Sequence, residues 1–205
     1  MKSFLRLKNV MRSWKAKVRL RLKVWQFRKK LRIIVGAAST QQVGWLSTDY
    51  PLLDLTDART FASIFAAGSI GHILAEHVWE HLSPEDSARA CRNCFKYLKR
   101  GGLLRIAVPD GFHPDADYID HVKPGGCGPG ADDHKVLFIY RTLSTMLENA
   151  GFKTRLLEWF DEQGKFHHEN WDVEDGLIRR STRFDPRNQT NPTAYTSLII
   201  DASKP

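Results

Sequence analysis

The sequence predicts a single α/β domain, built on a mainly parallel sheet with helices on both faces and preceded by a basic amphipathic extension. Three observations carry this. Short β-branched runs alternate with helical stretches from residue 31 onward, glycines punctuate them at Gly36, Gly44 and Gly101-Gly102, and the charge changes sign near residue 30. The chain has 205 residues, which leaves material for one core once the extension is subtracted. We divide it into an extension, residues 1–30, and a domain, residues 31–205.

Residues 1–32 hold thirteen of the 31 Lys and Arg residues and no acidic one, so a net charge of +8 becomes −5 for the remainder. Within this arm Phe4, Leu7, Met11, Trp14, Val18, Leu22 and Trp25 recur at three- and four-residue steps among basic residues, the pattern of a basic amphipathic helix. Residues 18–24 also alternate with period two, which keeps a strand open there. The apolar stripe can dock on the domain, lie on an anionic membrane surface, or accompany phosphate contacts. Nucleic acid is the least favoured partner because nothing in the arm reads bases. No apolar run approaches the roughly 18 residues of a membrane span, and no secretory h-region opens the chain. Cys91, Cys94 and Cys127 make no even disulfide framework. The expected location is the cytoplasm, peripheral at a membrane if the arm binds one.

The elements follow in order. Residues 31–35 read as a strand ending at Gly36, and a second strand closes at Asp49. Residues 58–67 look helical and 70–75 form a buried strand. The clearest helix starts at Ser83, whose hydroxyl can cap it, with Pro84 in the first turn and Glu85 and Asp86 at the positive end of the dipole; it runs to about residue 98. A strand over 103–108 ends at Pro109-Asp110, and residues 111–133 form a Gly-, Pro- and Asp-rich loop of a length that marks function or mobility. Helix 137–150, strand 152–159, a polar region 161–191 and a last strand 195–200 complete the domain.

Several segments stand in a telling order: Gly36-Ala37-Ala38-Ser39-Thr40 after the first strand, Asp49, Asp54, Leu74-Ala75-Glu76-His77-Val78-Trp79-Glu80-His81-Leu82, then Tyr97-Leu98-Lys99-Arg100-Gly101-Gly102 leading into Val108-Pro109-Asp110, and Met146-Leu147-Glu148-Asn149-Ala150-Gly151-Phe152. This order resembles the class I S-adenosylmethionine-dependent methyltransferases, particularly small bacterial ones, over residues 31–201. The resemblance implies a Rossmann-like methyltransferase domain with S-adenosyl-L-methionine as cofactor. It also implies that the turn at Gly36 and Ala38 approaches the methionine carboxylate, aided by the N-terminus of a helix expected next. Asp49 would meet the ribose, Asp54 the adenine or ribose, and Glu76 the region of the methyl donor. The chain departs from the family's Gly-x-Gly-x-Gly turn, with Ala38 and Thr40 where later glycines would stand, and alanine resists positive φ. Each residue also has a structural reading, Gly36 as a plain turn and Asp49 and Glu76 as hydrogen-bonded loop residues.

For catalysis the sequence offers Glu76, His77 and His113, which could orient an acceptor or take its proton. His113 belongs to a polar set with Asp110, Asp115, Tyr118, His134 and Lys135 beyond a strand's carboxyl end. The acceptor expected is a small or saccharide-like molecule. No Asn/Asp-Pro-Pro-Tyr turn supports amino methylation of nucleic acid. His77-Val78-Trp79-Glu80-His81 also matches the H-x-x-E-H pattern of zinc peptidases, but it falls at a strand-to-helix junction with no third ligand evident, so no metal is expected. Cys91 and Cys94 lie mid-helix, where packing explains them better than redox chemistry. The competing class is a non-catalytic binding module of the same fold, attached to an anionic membrane or polyanion through its arm.

Overall fold

The computed structural model describes residues 2–191 and 193–205, with side chains from residue 15 onward. Seven strands make one sheet: β1 (Arg32–Val35), β2 (Leu46–Ser47), β3 (Ile70–Glu76), β4 (Leu98–Pro109), β5 (Lys153–Phe160), β6 (Phe166–His168) and β7 (Ser197–Ser203). Their order is β2-β1-β3-β4-β7-β5-β6. The first four neighbours run parallel, β7 is antiparallel to both β4 and β5, and β6 turns back on β5. The sheet is therefore mixed, with its parallel half where the sequence pattern is most continuously apolar. In β3 both faces are buried, which is why Ile70 to Ala75 reads as an unbroken run and not as an alternation.

The helices are α1 (Lys2–Phe27), α2 (Ala58–Ala62), α3 (Pro84–Tyr97), α4 (Ala116–Val122) and α5 (Tyr140–Asn149). Helix α3 begins as its local chemistry dictates: the Ser83 hydroxyl accepts from the Asp86 N–H at 3.1 Å, and Pro84 fills the first turn. Its Ala90, Cys91 and Cys94 join Phe61 of α2 and Leu143 and Leu147 of α5 against Ile33, Ile73, Leu104 and Ile200 of the sheet. Both cysteines are fully buried, as the packing reading requires.

The opposite face is closed differently from the expected second helical layer. Its core of Ile34, Leu74, Ala107, Leu157 and Ile199 is covered by Trp45, Ile178 and Trp171, which come from coil. Polar anchors fix this cover. Arg105 pairs with Asp201 and donates to the carbonyls of Asp172 and Gly176, both at 2.7 Å. Glu158 accepts from Trp171 Nε1, the Thr182 N–H and Thr196 Oγ1.

Other boundaries moved. The chain between β1 and β2 holds no helix, so the dipole expected behind Gly36 is missing. Asp49 lies two residues past β2, α2 is half the length expected, and the 111–133 loop contains α4 and a short 3-10 turn. Strand β6 arises inside the region read as merely polar. In the arm, Phe4, Leu7, Met11 and Trp14 have side chains outside the described residues. Over the described part the helix docks through Leu20, which is 5% exposed, and Val24, while Leu22 and Trp25 of the predicted stripe stay 59% and 64% exposed. No helix among the described residues is long and apolar enough to cross a membrane.

Candidate active site

The carboxyl ends of β1, β2 and β3 lie side by side, and the turns after them form the first half of the site. Gly36 has φ +56°, and a Cβ there would stand 2.6 Å from Val78 Cγ2, so both backbone and packing demand glycine. Ala38 takes φ +45°, so alanine here adopts the left-handed conformation that it ordinarily resists. What holds it there is Asp49, whose Oδ2 accepts the Ala38 N–H at 2.8 Å while Oδ1 accepts the Tyr50 N–H at 2.8 Å. Gly36, Ala38 and Asp49 are thus one turn. Asp54 sits apart, its Oδ1 accepting the Thr56 N–H and hydroxyl ahead of α2.

Glu76 ends β3 with its carboxylate buried. Oε1 accepts the Arg180 N–H at 2.8 Å, and Oε2 finds no hydrogen bond, with Arg179 Nε 3.5 Å away. The chain over residues 177–180 crosses this end of the sheet. Gln42 clasps it by donating to the Leu177 carbonyl at 2.7 Å and accepting the Leu177 N–H at 3.1 Å, and Arg179 donates to Thr40 Oγ1. Beside the clasp opens a cleft of about 590 Å³ lined by residues 39–43, Trp45, Leu177 and Arg179.

A second cleft, of about 410 Å³, begins at the next residue of the chain and is lined by His77, Glu80, His81, His134, Arg180 and Tyr195 among others. His77 has φ +56°, a strained conformation for a histidine, held by its N–H to the Ala107 carbonyl at 2.8 Å. Its Nε2 lies 2.9 Å from Ser197 Oγ and its Nδ1 3.0 Å from Glu80 Oε1. The latter is a charge contact off the hydrogen-bond direction, for neither Glu80 oxygen has a hydrogen-bond partner although the residue is wholly buried. Burial raises the Glu80 pKa, but the neighbouring His77 outweighs it and holds the carboxyl below its usual range.

The Glu80 carbonyl accepts the Lys135 N–H at 2.7 Å, which draws residue 134 over the 3-10 turn Trp79–His81. There the His81 and His134 rings meet edge to face, with centroids 4.7 Å apart. The peptidase arrangement suggested by the H-x-x-E-H letters does not form, because the motif is not α-helical: His77 stands at φ +56° ahead of the 3-10 turn Trp79–His81. The third donor that the sequence left unseen is present, however: Glu80, His81 and His134 each bring one ligand atom within 4.8 Å of the others.

The remaining loop residues are structural. His113 is 6% exposed, stacks on Tyr118, and uses both ring nitrogens, Nε2 toward the Thr193 carbonyl and Nδ1 for the Asp115 N–H. Both ring nitrogens of His113 are thus engaged within the protein. Asp110 accepts the N–H groups of Phe112 and Phe160, with burial pushing its pKa up to about 6, and Asp115 caps α4. The Tyr118 hydroxyl bridges Asp110 and Thr196. Arg180 and Ser197, by contrast, reach the site with no local sequence signal.

No family model matches the chain, and no curated protein matches it in sequence. Solved structures do resemble it. A SAM-dependent methyltransferase from Archaeoglobus fulgidus aligns over 94% of each chain at 18% identity with a TM-score of 0.50. A possible histamine N-methyltransferase from Thermotoga maritima aligns over 98% of each chain at 13% identity with a TM-score of 0.51. The chain therefore has the fold of the SAM-dependent methyltransferases, as the order of its segments implied.

Proposed function

We propose that this protein transfers a methyl group from S-adenosyl-L-methionine to a small anionic acceptor. The observation that carries the reading is the convergence, at the carboxyl end of the parallel strands, of the Gly36–Ala38 turn with Asp49 and the unsatisfied Glu76 Oε2. Ligands of open α/β sheets bind at that end. These residues suit the cofactor: the glycine turn brings the chain past the end of the sheet with no side chain at Gly36, and two acidic groups, one with the unpartnered Glu76 Oε2, suit hydroxyl and ammonium donors. Glu76 serves the cofactor once the clasp over residues 177–180 yields.

The bound cofactor supplies an electrophilic methyl on a sulfonium, so the protein's own task is alignment and proton removal. His77 adjoins Glu76 and lines the second cleft. Glu80 favours a proton on Nδ1, which leaves Nε2 as an acceptor for the hydroxyl position that Ser197 Oγ fills here. Arg180 lines the same cleft and makes no side-chain ion pair among the described residues, which favours a carboxylated or phosphorylated acceptor, a saccharide derivative included.

Calorimetry with S-adenosylmethionine and S-adenosylhomocysteine tests the reading. One-to-one binding of both is expected; a folded protein that binds neither at millimolar concentration would instead be a binding module on this fold.

A further inference from the structure

We infer that Glu80, His81 and His134 form a binding site for one divalent transition-metal ion, with zinc as the reference metal. Two imidazoles and one carboxylate are a ligand set suited to zinc and its first-row neighbours, and three protein ligands leave a coordination position for water or a substrate oxygen. The three donors lie within 4.8 Å of one another. Bonds of ~2.1 Å in a tetrahedral site need donors roughly 3.4 Å apart, so each has to move inward by less than about 1 Å.

Two further observations separate this cluster from a chance meeting of polar side chains. The Glu80 carboxylate is 0% exposed and faces the cleft with neither oxygen hydrogen-bonded. His77 Nδ1 meets Oε1 at 3.0 Å, whereas Oε2 is buried with no hydrogen-bond partner, and a buried carboxylate oxygen in that condition favours a cation beside it. The histidines are also oriented from behind. His134 Nδ1 lies 2.7 Å from the Val122 carbonyl, which can only accept, so Nδ1 carries the proton and Nε2 is the bare donor. His81 Nδ1 faces Asp133 Oδ2 at 3.3 Å, which leaves its Nε2 free in the same way. Carbonyl and carboxylate partners on the far nitrogen are what metal-bound histidines use to fix their tautomer. His77, at 3.0 Å from Glu80 Oε1, steadies the carboxylate without being a ligand.

The site opens into the cleft that Arg180 and Tyr195 line, so its fourth position would take an oxygen of an anionic ligand. Metal binding itself does not depend on methyl transfer. Only a role in polarising an acceptor oxygen rests on that reading.

The test is direct. Full-length protein stripped with a chelator is titrated with zinc by calorimetry, and the zinc-loaded sample is examined by X-ray absorption at the metal edge. One zinc per chain is expected, with two imidazoles and oxygen ligands. His134→Ala and His81→Gln should each weaken binding at least about 100-fold, and His168→Ala on β6 should leave it unchanged. His81 is one-third exposed at its side chain, so its replacement keeps the test decisive if His134→Ala disturbs folding. Absence of zinc binding, affinity in both variants equal to that of the unsubstituted protein, or sulfur ligands from Cys127 would each overturn the site.

Discussion

Arg105 of β4 and Asp201 of β7 are register partners, and their side chains form a bidentate pair at 2.7 and 2.9 Å on the sheet face that no helix covers. The same guanidinium holds the Asp172 and Gly176 carbonyls, so one buried cation fixes both the sheet and its coil cover. Arg105→Met should therefore cost about 3–5 kcal/mol, because it leaves the buried Asp201 charge with only the half-exposed Arg155, 3.8 Å away. Arg105→Met with Asp201→Leu should recover part of that loss. Urea denaturation of the three proteins checks the ordering, and a loss under about 1 kcal/mol in the single variant would remove the pair as the anchor.

Asp49 locks the Gly36 turn through the Ala38 N–H, and the proposed function places it beside the cofactor. Asp49→Ala removes a charge-assisted acceptor of about 1.5–3 kcal/mol, so the Kd for S-adenosylmethionine should rise roughly tenfold or more. An unchanged Kd in a folded variant would take Asp49 out of the site.

Gln42 holds the chain over residues 177–180 closed with two hydrogen bonds. If that chain must yield before Glu76 meets the cofactor, Gln42→Ala should tighten apparent binding by about three- to tenfold, since a larger fraction of molecules is then competent. Weaker binding would mean that the clasp belongs to the bound state.

The arm can be tested by truncation. Deleting residues 1–29 removes Leu20 and Val24 from the core and should lower stability by about 2–5 kcal/mol. If the exposed Leu22 and Trp25 serve a membrane, full-length protein should co-sediment with anionic but not neutral vesicles, and salt should weaken the association. Equal sedimentation of the full-length protein and the shorter chain would argue against the arm as the contact.

Thiol reactivity offers a check on packing. Burial pushes the Cys91 thiol up to about 12 and Cys94 higher still, whereas Cys127 is exposed. Ellman's reagent should titrate one thiol in the native protein and three after denaturation. Two or more fast thiols in the native state would contradict the α3 packing.

Local chemistry made much of this protein legible in its sequence. Ser83 and Pro84 announce α3, Gly101-Gly102 marks the turn of chain that β4 carries into the sheet, and the unbroken apolar run of β3 reports burial on both faces. Each of these depends on a residue and its near neighbours, as capping, turn conformation and periodicity do. Gly36, Ala38 and Asp49 could likewise be named from their order along the chain. What only the tertiary structure decided depends on contacts between distant segments. The second face was given to coil instead of helix by Arg105, Glu158 and Asp201, charged residues that cannot be assigned inward until their partners are known. His113 was turned to the Thr193 carbonyl, and His134 was carried to Glu80 and His81 by the Lys135 N–H. A buried polar group takes its meaning from the atom that satisfies it, and in this fold that atom usually lies far away along the chain.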